Sequence, residues 1–446
     1  MKVIIVGAGP AGLTTAAALA RRGHRVVAIE RDPGPAPDGS WHRRGVMQFG
    51  HPHGFRPQVR DLLLAEWPDA WTAWVELGAV PIDLPRPGAA PLVGVRSRRS
   101  TYERALRRAA ADVEGLALEV GHVDGLVERA GRVAGVIVGG DLVEGDLVID
   151  AGGRASRLST SATVGAGGDT GMAYVTRGYR RHRGAGLGPM AGPVAWAGIL
   201  DGYQAYVFPH EHGHFSVVIV RPTADIDLSV LRRVDAFEAA CRAIPGLADW
   251  TDPARAAPTS DVLVGGRLRN VYRSQRGRPG LVAIGDSVAT TAPTAGRGVA
   301  MASMQIDGLL RLLDDGAEPT TVATPYGEWC DVWIRPWVQD HLTVDAEVVA
   351  SWQGADIDLT RPLTSAAIVA AARADERITR HLGGFLAMTQ LPASLAPAEP
   401  LARAVYESGW RPPVSEGPTR DELVDLIDAA VNGTSTGRGA HMRLSA

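Results

Sequence analysis

Val3-Ile4-Ile5-Val6-Gly7-Ala8-Gly9-Pro10-Ala11-Gly12 lies at the start of the chain, and its reading decides the fold. The apolar run ending at Val6 suits a strand buried on both faces. Gly7 allows a tight turn. Gly9 lets the backbone approach a pyrophosphate, and Gly12 lets the next helix pack closely on the sheet. That helix is expected over residues 13–22, rich in alanine and leucine. Its N-terminus, which includes Ala11, offers free N–H groups and a partial positive charge to phosphates. A second strand, residues 25–29, ends in Glu30, with Arg31 beside it. An acid about 20 residues on from the turn hydrogen-bonds an adenosine ribose. An unrelated glycine turn has no need of strand, helix, second strand and acid in this order.

Two more segments repeat the pattern of apolar strand, glycine and polar turn. One is Asp146-Leu147-Val148-Ile149-Asp150-Ala151-Gly152-Gly153-Arg154. The other is Gly280-Leu281-Val282-Ala283-Ile284-Gly285-Asp286, followed by Pro293, Gly296 and Gly298. Taken alone, Asp150 reads equally as a solvated turn aspartate and Asp286 as a helix N-cap. Taken with the N-terminal fingerprint, both read as parts of one cofactor site.

In these three segments the chain resembles the class A flavoprotein monooxygenases, the para-hydroxybenzoate hydroxylase superfamily, which also holds flavin epoxidases and halogenases. Asp150, Gly152 and Arg154 match the family's second motif, with Ala151 in place of the usual glycine. Gly285, Asp286, Pro293, Gly296 and Gly298 match its third. Relatives often carry a histidine near the position of Val288 or Ala289. This chain has none there, which points towards tailoring-type oxygenases. Arg44-Gly45-Val46-Met47-Gln48 and His51-Pro52-His53 resemble a segment lying under the flavin in that subgroup. Arg99, Glu103, Leu106 and Arg107 resemble a helix start whose arginine contacts the cofactor. The resemblance implies an FAD site built from Gly7, Gly9, Ala11, Gly12, Glu30, Arg31, Arg44, Gln48, Arg99, Val123, Asp150, Gly152, Asp286, Pro293, Gly296 and Gly298. It covers roughly residues 1–345.

Composition bounds the alternatives. The formal net charge of −3 supplies no basic field for nucleic acid. No apolar run approaches the 18 residues of a membrane span. The first strand begins at residue 2, leaving no room for a secretory leader. Cys241 and Cys330 read as reduced, buried thiols. These features predict a cytoplasmic protein. The chain has one lysine, Lys2, against 45 arginines. Arginine keeps its charge and cannot act as an amine nucleophile. The halogenases of the family carry their oxidised halide on an active-site lysine, and Lys2, opening the first strand, cannot reach the chemistry. Their Trp-x-Trp-x-Ile-Pro motif is also missing. His210-x-His212-x-His214 would share one face of a regular strand, but Pro209 and Gly213 argue for a turn, and no metal site is expected.

The expected fold is α/β: a Rossmann-like, glutathione-reductase-type FAD domain, an antiparallel-sheet substrate domain and C-terminal helices. Residues 1–75, 98–165 and 261–325 would build the FAD domain. Residues 76–97 and 166–260 would build the substrate domain, with antiparallel strands near 194–199, 205–209 and 215–220. Residues 326–446 would be mainly helical, with one helix over 326–352 that stacks Trp329, Trp333 and Trp337 on a buried face. Trp196, Tyr206, Phe208 and His210 are expected to line the substrate pocket.

The chemistry implied is that of a flavin C4a-hydroperoxide, formed from reduced FAD and molecular oxygen and used to hydroxylate or epoxidise a hydrophobic small molecule. Electrons would come from NADPH or NADH, directly or through a partner flavin reductase. The Pro293–Gly298 loop runs into a helix N-terminus suited to the negative charge of reduced flavin. His51 and His53 are the candidate acid–base groups, though loop histidines bonded to backbone are the simpler reading. A reductase or dehydrogenase of the geranylgeranyl reductase type and a non-catalytic flavin-binding redox protein are the alternatives.

Overall fold

A computed structural model of the chain describes residues 1–43, 45–86, 89–158, 163–275 and 278–441. Five parallel strands form its central sheet, in the order Leu281–Ala283, Leu147–Asp150, Lys2–Val6, Arg25–Glu30 and Leu116–Val120. The register sets Val6 opposite Asp150, and Asp150 opposite Ala283. The three glycine motifs therefore leave the sheet in one row, at the carboxyl ends of adjacent strands, where α/β sheets bind their ligands.

Alternation along these strands gives each face its own cover. Val3, Ile5, Leu147 and Ile149 pack among helices, while Ile4, Val148 and Leu281 pack against Val133 and Val136. The latter two belong to an antiparallel meander of Val123–Arg129, Arg132–Val138 and Asp141–Glu144. Helix, parallel sheet and meander are the three layers of a Rossmann-like core.

A second sheet is antiparallel. Trp196–Leu200, Tyr203–Pro209, His214–Pro222, Met172–Arg181 and Ala256–Pro258 follow one another across it, and Leu263–Gly265 pairs with Met172–Arg181. One face of this sheet packs on the helices Val234–Ala243 and Pro245–Thr251. The same face receives Leu423 and Ile427 of the helix Arg420–His441. The helical region after residue 326 is thus divided. Its earlier helices join the core of the parallel sheet, and its last helix joins the antiparallel sheet.

The single helix expected over 326–352 is two, Ala323–Trp333 and Arg335–Trp352. Pro336 lies in the first turn of the second, where its missing N–H does no harm but from which no helix can continue unbroken. The break takes the three tryptophans off one face. Trp337 is fully buried, whereas Trp333 is 43% exposed. No helix among the described residues is long and apolar enough to cross a membrane.

Candidate functional site

The three glycine turns touch. Gly7 has φ +95°, and a Cβ there would lie 2.6 Å from the Ala151 carbonyl oxygen. A Cβ at Gly12 would run into the Gly7 carbonyl. Gly285, at φ +65°, approaches the Ala11 methyl group. Gly9 differs from these. Its backbone is extended, and a Cβ there would meet only the Arg43 Nη1, at 3.7 Å. Gly9 thus leaves bare backbone facing open space, beside a helix start, Pro10–Arg21, that carries neither a side-chain cap nor an acid.

Two acids of the row are already engaged. The Glu30 carboxylate accepts from the Ala8 N–H at 3.0 Å and from Arg43 at 2.5 Å. Asp150 is fully buried; it accepts from the Gly152 N–H at 3.0 Å and from the hydroxyls of Ser156 and Ser287. Asp150 therefore staples the second turn to the third, as a turn aspartate would. Asp286 is different. It sits in the short turn Gly285–Ser287 with no cap bond, and its carboxylate has no partner among the described residues. Burial pushes that carboxyl up, against the charges of Arg99, Arg154 and Arg273. Yet its side chain remains accessible. A group crowded by protein and still accessible faces a groove.

The loop after Asp286 forms the turn Pro293–Ala295, passes through left-handed Gly296 (φ +60°), and enters the helix Gly298–Asp314 without a side-chain cap. It is tied down from behind. Asn270 Oδ1 accepts from the Ala292 N–H at 2.7 Å, and Asn270 donates to Asp345 at 2.7 Å. Arg297 pairs with Asp340 at 2.5 Å and lies over the Trp337 ring. Bare glycine backbone, two uncapped helix starts and an unpartnered acid are what a pyrophosphate, a ribityl chain and an anionic ring require, so the residues present fit FAD.

Arg43 was not legible from sequence. Its guanidinium, 4% exposed, bridges Glu30 and Glu103 at 2.5 Å each. The Arg99 Nε holds the other oxygen of Glu103 at 2.6 Å. Arg44, the neighbour expected in the site, lies outside the described residues. Arg31 stands over Gly45, and Val123 packs beside Ile29 at the edge of the meander. Glu211, also unforeseen, is buried and accepts from Arg98 and Thr101, tying the turn of the antiparallel sheet to the helix Arg99–Ala110.

Between the antiparallel sheet and the 293–298 loop lies a small, partly open cleft. Tyr174, Tyr206, Phe208, Val218 and Val220 form its sheet wall; Gln48, His51 and Pro52 form another, and Pro293 and Thr294 close it. Gln48 donates to the Tyr174 hydroxyl at 2.7 Å. Burial pushes the hydroxyls of Tyr174 and Tyr206 up to about 12. His51 pairs its Nδ1 with the Thr176 hydroxyl at 2.9 Å, and burial lowers its pKa to about 4. His53 stacks on Phe55 and bonds the His51 carbonyl at 3.1 Å; burial, then Arg99, lowers it to about 3. Neither histidine carries charge near neutral pH, so no lining residue is charged.

Trp196 does not join this wall. It pairs across the hairpin with Val207, so it shares the face opposite Tyr206 and Phe208, where its ring covers Gly246. His210 lies beyond the cleft lining, buried, with Nε2 on the Ser216 hydroxyl at 3.0 Å. His212 and His214 belong to the turn beside it, and among the described residues no three ligating side chains are placed to hold a metal ion.

Comparisons with known proteins agree with this architecture. Residues 2–120 match the family described as FAD dependent oxidoreductase. Over 51 residues the chain is 49% identical to a D-amino acid dehydrogenase of Sinorhizobium medicae (strain WSM419), a match spanning 11% of this chain and only 12% of that protein. The structure of the flavin-dependent brominase Bmp2 superposes with a TM-score of 0.63 at 16% identity, covering 92% of this chain and 99% of that one. The structure of pqsL, a probable FAD-dependent monooxygenase from Pseudomonas aeruginosa, gives 0.59 at 14% identity, covering 80% and 100%. The family match is confined to residues 2–120, the segment that carries the first glycine turn and Glu30. Over most of its length the chain shares the fold of these two solved structures.

Proposed function

We propose that this protein is an FAD-dependent monooxygenase that hydroxylates or epoxidises a hydrophobic, uncharged small molecule. The observation that carries the reading is the cleft itself. Its aromatic sheet wall faces the Pro293–Thr294 turn, and no lining group is charged. FAD, bound and reduced by electrons from NADPH or NADH, would supply the activation of molecular oxygen.

The chain's own residues would do the rest. The bare Gly7–Gly12 turn and the N-terminus of Pro10–Arg21 suit the pyrophosphate. Glu30, with Arg31 and Arg43 beside it, suits the adenosine end; Arg99, Asp286 and Gln48 suit the chain between. The N–H groups at the start of Gly298–Asp314 suit the anionic ring. Apolar walls would exclude water and fix the substrate's orientation. In this reading residues 1–75, 98–165 and 261–325 form the cofactor unit, and the antiparallel sheet presents the substrate from a cytoplasmic enzyme.

Anaerobic and aerobic turnover of the FAD-loaded protein tests it. Product formed only with oxygen, carrying one atom of labelled oxygen, is the expected result. Substrate reduction without oxygen would instead make it a reductase or dehydrogenase, and flavin binding with no turnover a redox scaffold.

A further inference from the structure

We propose that Arg56 is a positioning residue for the flavin: its guanidinium grips the carbonyls of Ala295 and Gly296 from behind and so turns the N–H of Arg297 towards the cofactor. This rests on the reading of the 293–298 loop as the cradle of the flavin ring. Arg56 Nη2 donates to the Ala295 carbonyl at 2.8 Å and Nε to the Gly296 carbonyl at 3.3 Å. In a trans peptide the C=O and the following N–H point oppositely. Fastening the Gly296 carbonyl therefore fixes the direction of the Arg297 N–H. That donor and the Gly298 N–H find no acceptor among the described residues. They are the orphan donors of an uncapped helix start, and the Arg297 N–H lies on the side of the loop away from Arg56.

Arg56 also brings charge. No carboxylate pairs with it among the described residues, and burial, then neighbouring Arg297, lowers its pKa only to about 10. It stays a cation behind the loop, where positive charge favours reduced over oxidised flavin. Its third contact, Nη1 to the Leu386 carbonyl at 2.6 Å, reaches the C-terminal helices. Gln58 braces the same stretch by donating to the Ala387 carbonyl at 2.6 Å without touching the loop, which separates the two roles.

The test uses full-length protein loaded with FAD, comparing Arg56→Gln, Arg56→Lys and Gln58→Ala. Far-ultraviolet circular dichroism establishes folding first. The readouts are the visible circular dichroism of bound FAD and the ratio of affinities for reduced and oxidised FAD, taken from its reduction potential. In Arg56→Gln the ratio should fall on the order of tenfold and the visible signal should change. Arg56→Lys should recover most of the ratio and little of the signal, because it keeps charge but not the fork. Gln58→Ala should match wild type in both. A folded, FAD-bound Arg56→Gln with wild-type ratio and signal overturns the inference, as does a Gln58→Ala that reproduces its defects. Wild-type protein that binds no FAD overturns the reading beneath it instead.

Discussion

Arg43 and Glu103 meet at 2.5 Å inside the glycine-lined groove, with side chains 4% and 3% exposed. The pair is part of a chain in which Glu30, Arg43, Glu103 and Arg99 alternate in charge. Removing one member of a buried set strands the others. Arg43→Met leaves Glu30 without its cation and Glu103 with only Arg99. The expected loss is about 3–5 kcal/mol of stability, read as a lower denaturant midpoint at unchanged slope. A loss under about 1 kcal/mol would mean the groove is wet enough to solvate both acids.

Gly9 and Gly12 should fail differently. A side chain at Gly9 meets only the end of Arg43, so Gly9→Val should fold with stability within about 1 kcal/mol of wild type. Its FAD content should nevertheless drop at least about tenfold, because the side chain occupies the approach to the pyrophosphate. Gly12→Val drives its Cβ into the Gly7 carbonyl and should cost about 3 kcal/mol or more. Flavin titration and chemical unfolding on both variants distinguish these outcomes.

How much of this was legible before the structure depends on the kind of order. The motif strands are doubly buried, so they read as continuous apolar runs, and their glycines announce the turns. Which face Trp196 takes depends on hairpin register, and shifting that register by one residue reverses every assignment. Arg43 and Arg44 are adjacent and chemically identical, so only the folded groove says which one bridges the acids. Arg56 acts on backbone carbonyls of residues some 240 positions away, and carbonyls leave no trace in sequence.

Acid should unfold the protein early. His51, His210 and His341 are at most 7% exposed, and burial lowers them to about 4, 4 and 3. In the unfolded chain each takes up a proton below about pH 6.5. The folded protein binds fewer protons in that window, so stability falls as pH falls from 6.5 towards 4, by about 1 kcal/mol per histidine per pH unit. Asp345, raised to about 6 by burial, and Asp286 and Glu347, also raised, work in the opposite direction, but His24, His53 and His214 are lowered as well, which leaves the histidines the larger set. Thermal midpoints measured between pH 8 and pH 4.5 should be flat above 6.5 and fall below it.

The same depression bears on catalysis. With His51 neutral throughout the assay range, His51→Gln should cost no more than a few-fold in turnover and leave the pH profile between 6 and 8 unchanged; His53→Gln should behave alike. A loss above about a hundredfold, with FAD bound, would make that histidine a proton-transfer group.

Chloride or bromide should not be incorporated into any accepted substrate. Lys2 opens its strand beside Arg25, with its N–H on Asp146, at the end of the sheet remote from the glycine turns. Halogenated product in stoichiometric yield would show that another residue handles the halide.

The helix Arg420–His441 lies on the back of the antiparallel sheet: Tyr203 donates to the Pro418 carbonyl 215 positions on, and Arg420 reaches back to Asp225 and Asp227. During synthesis the helices Val234–Ala243 and Pro245–Thr251 can cover this face early, but the part that Leu423 and Ile427 complete stays open until some 160 further residues have left the ribosome. For that interval the nascent chain is a natural client for chaperones. Its yield in a foreign host should depend more on their supply than on the robustness of the finished fold.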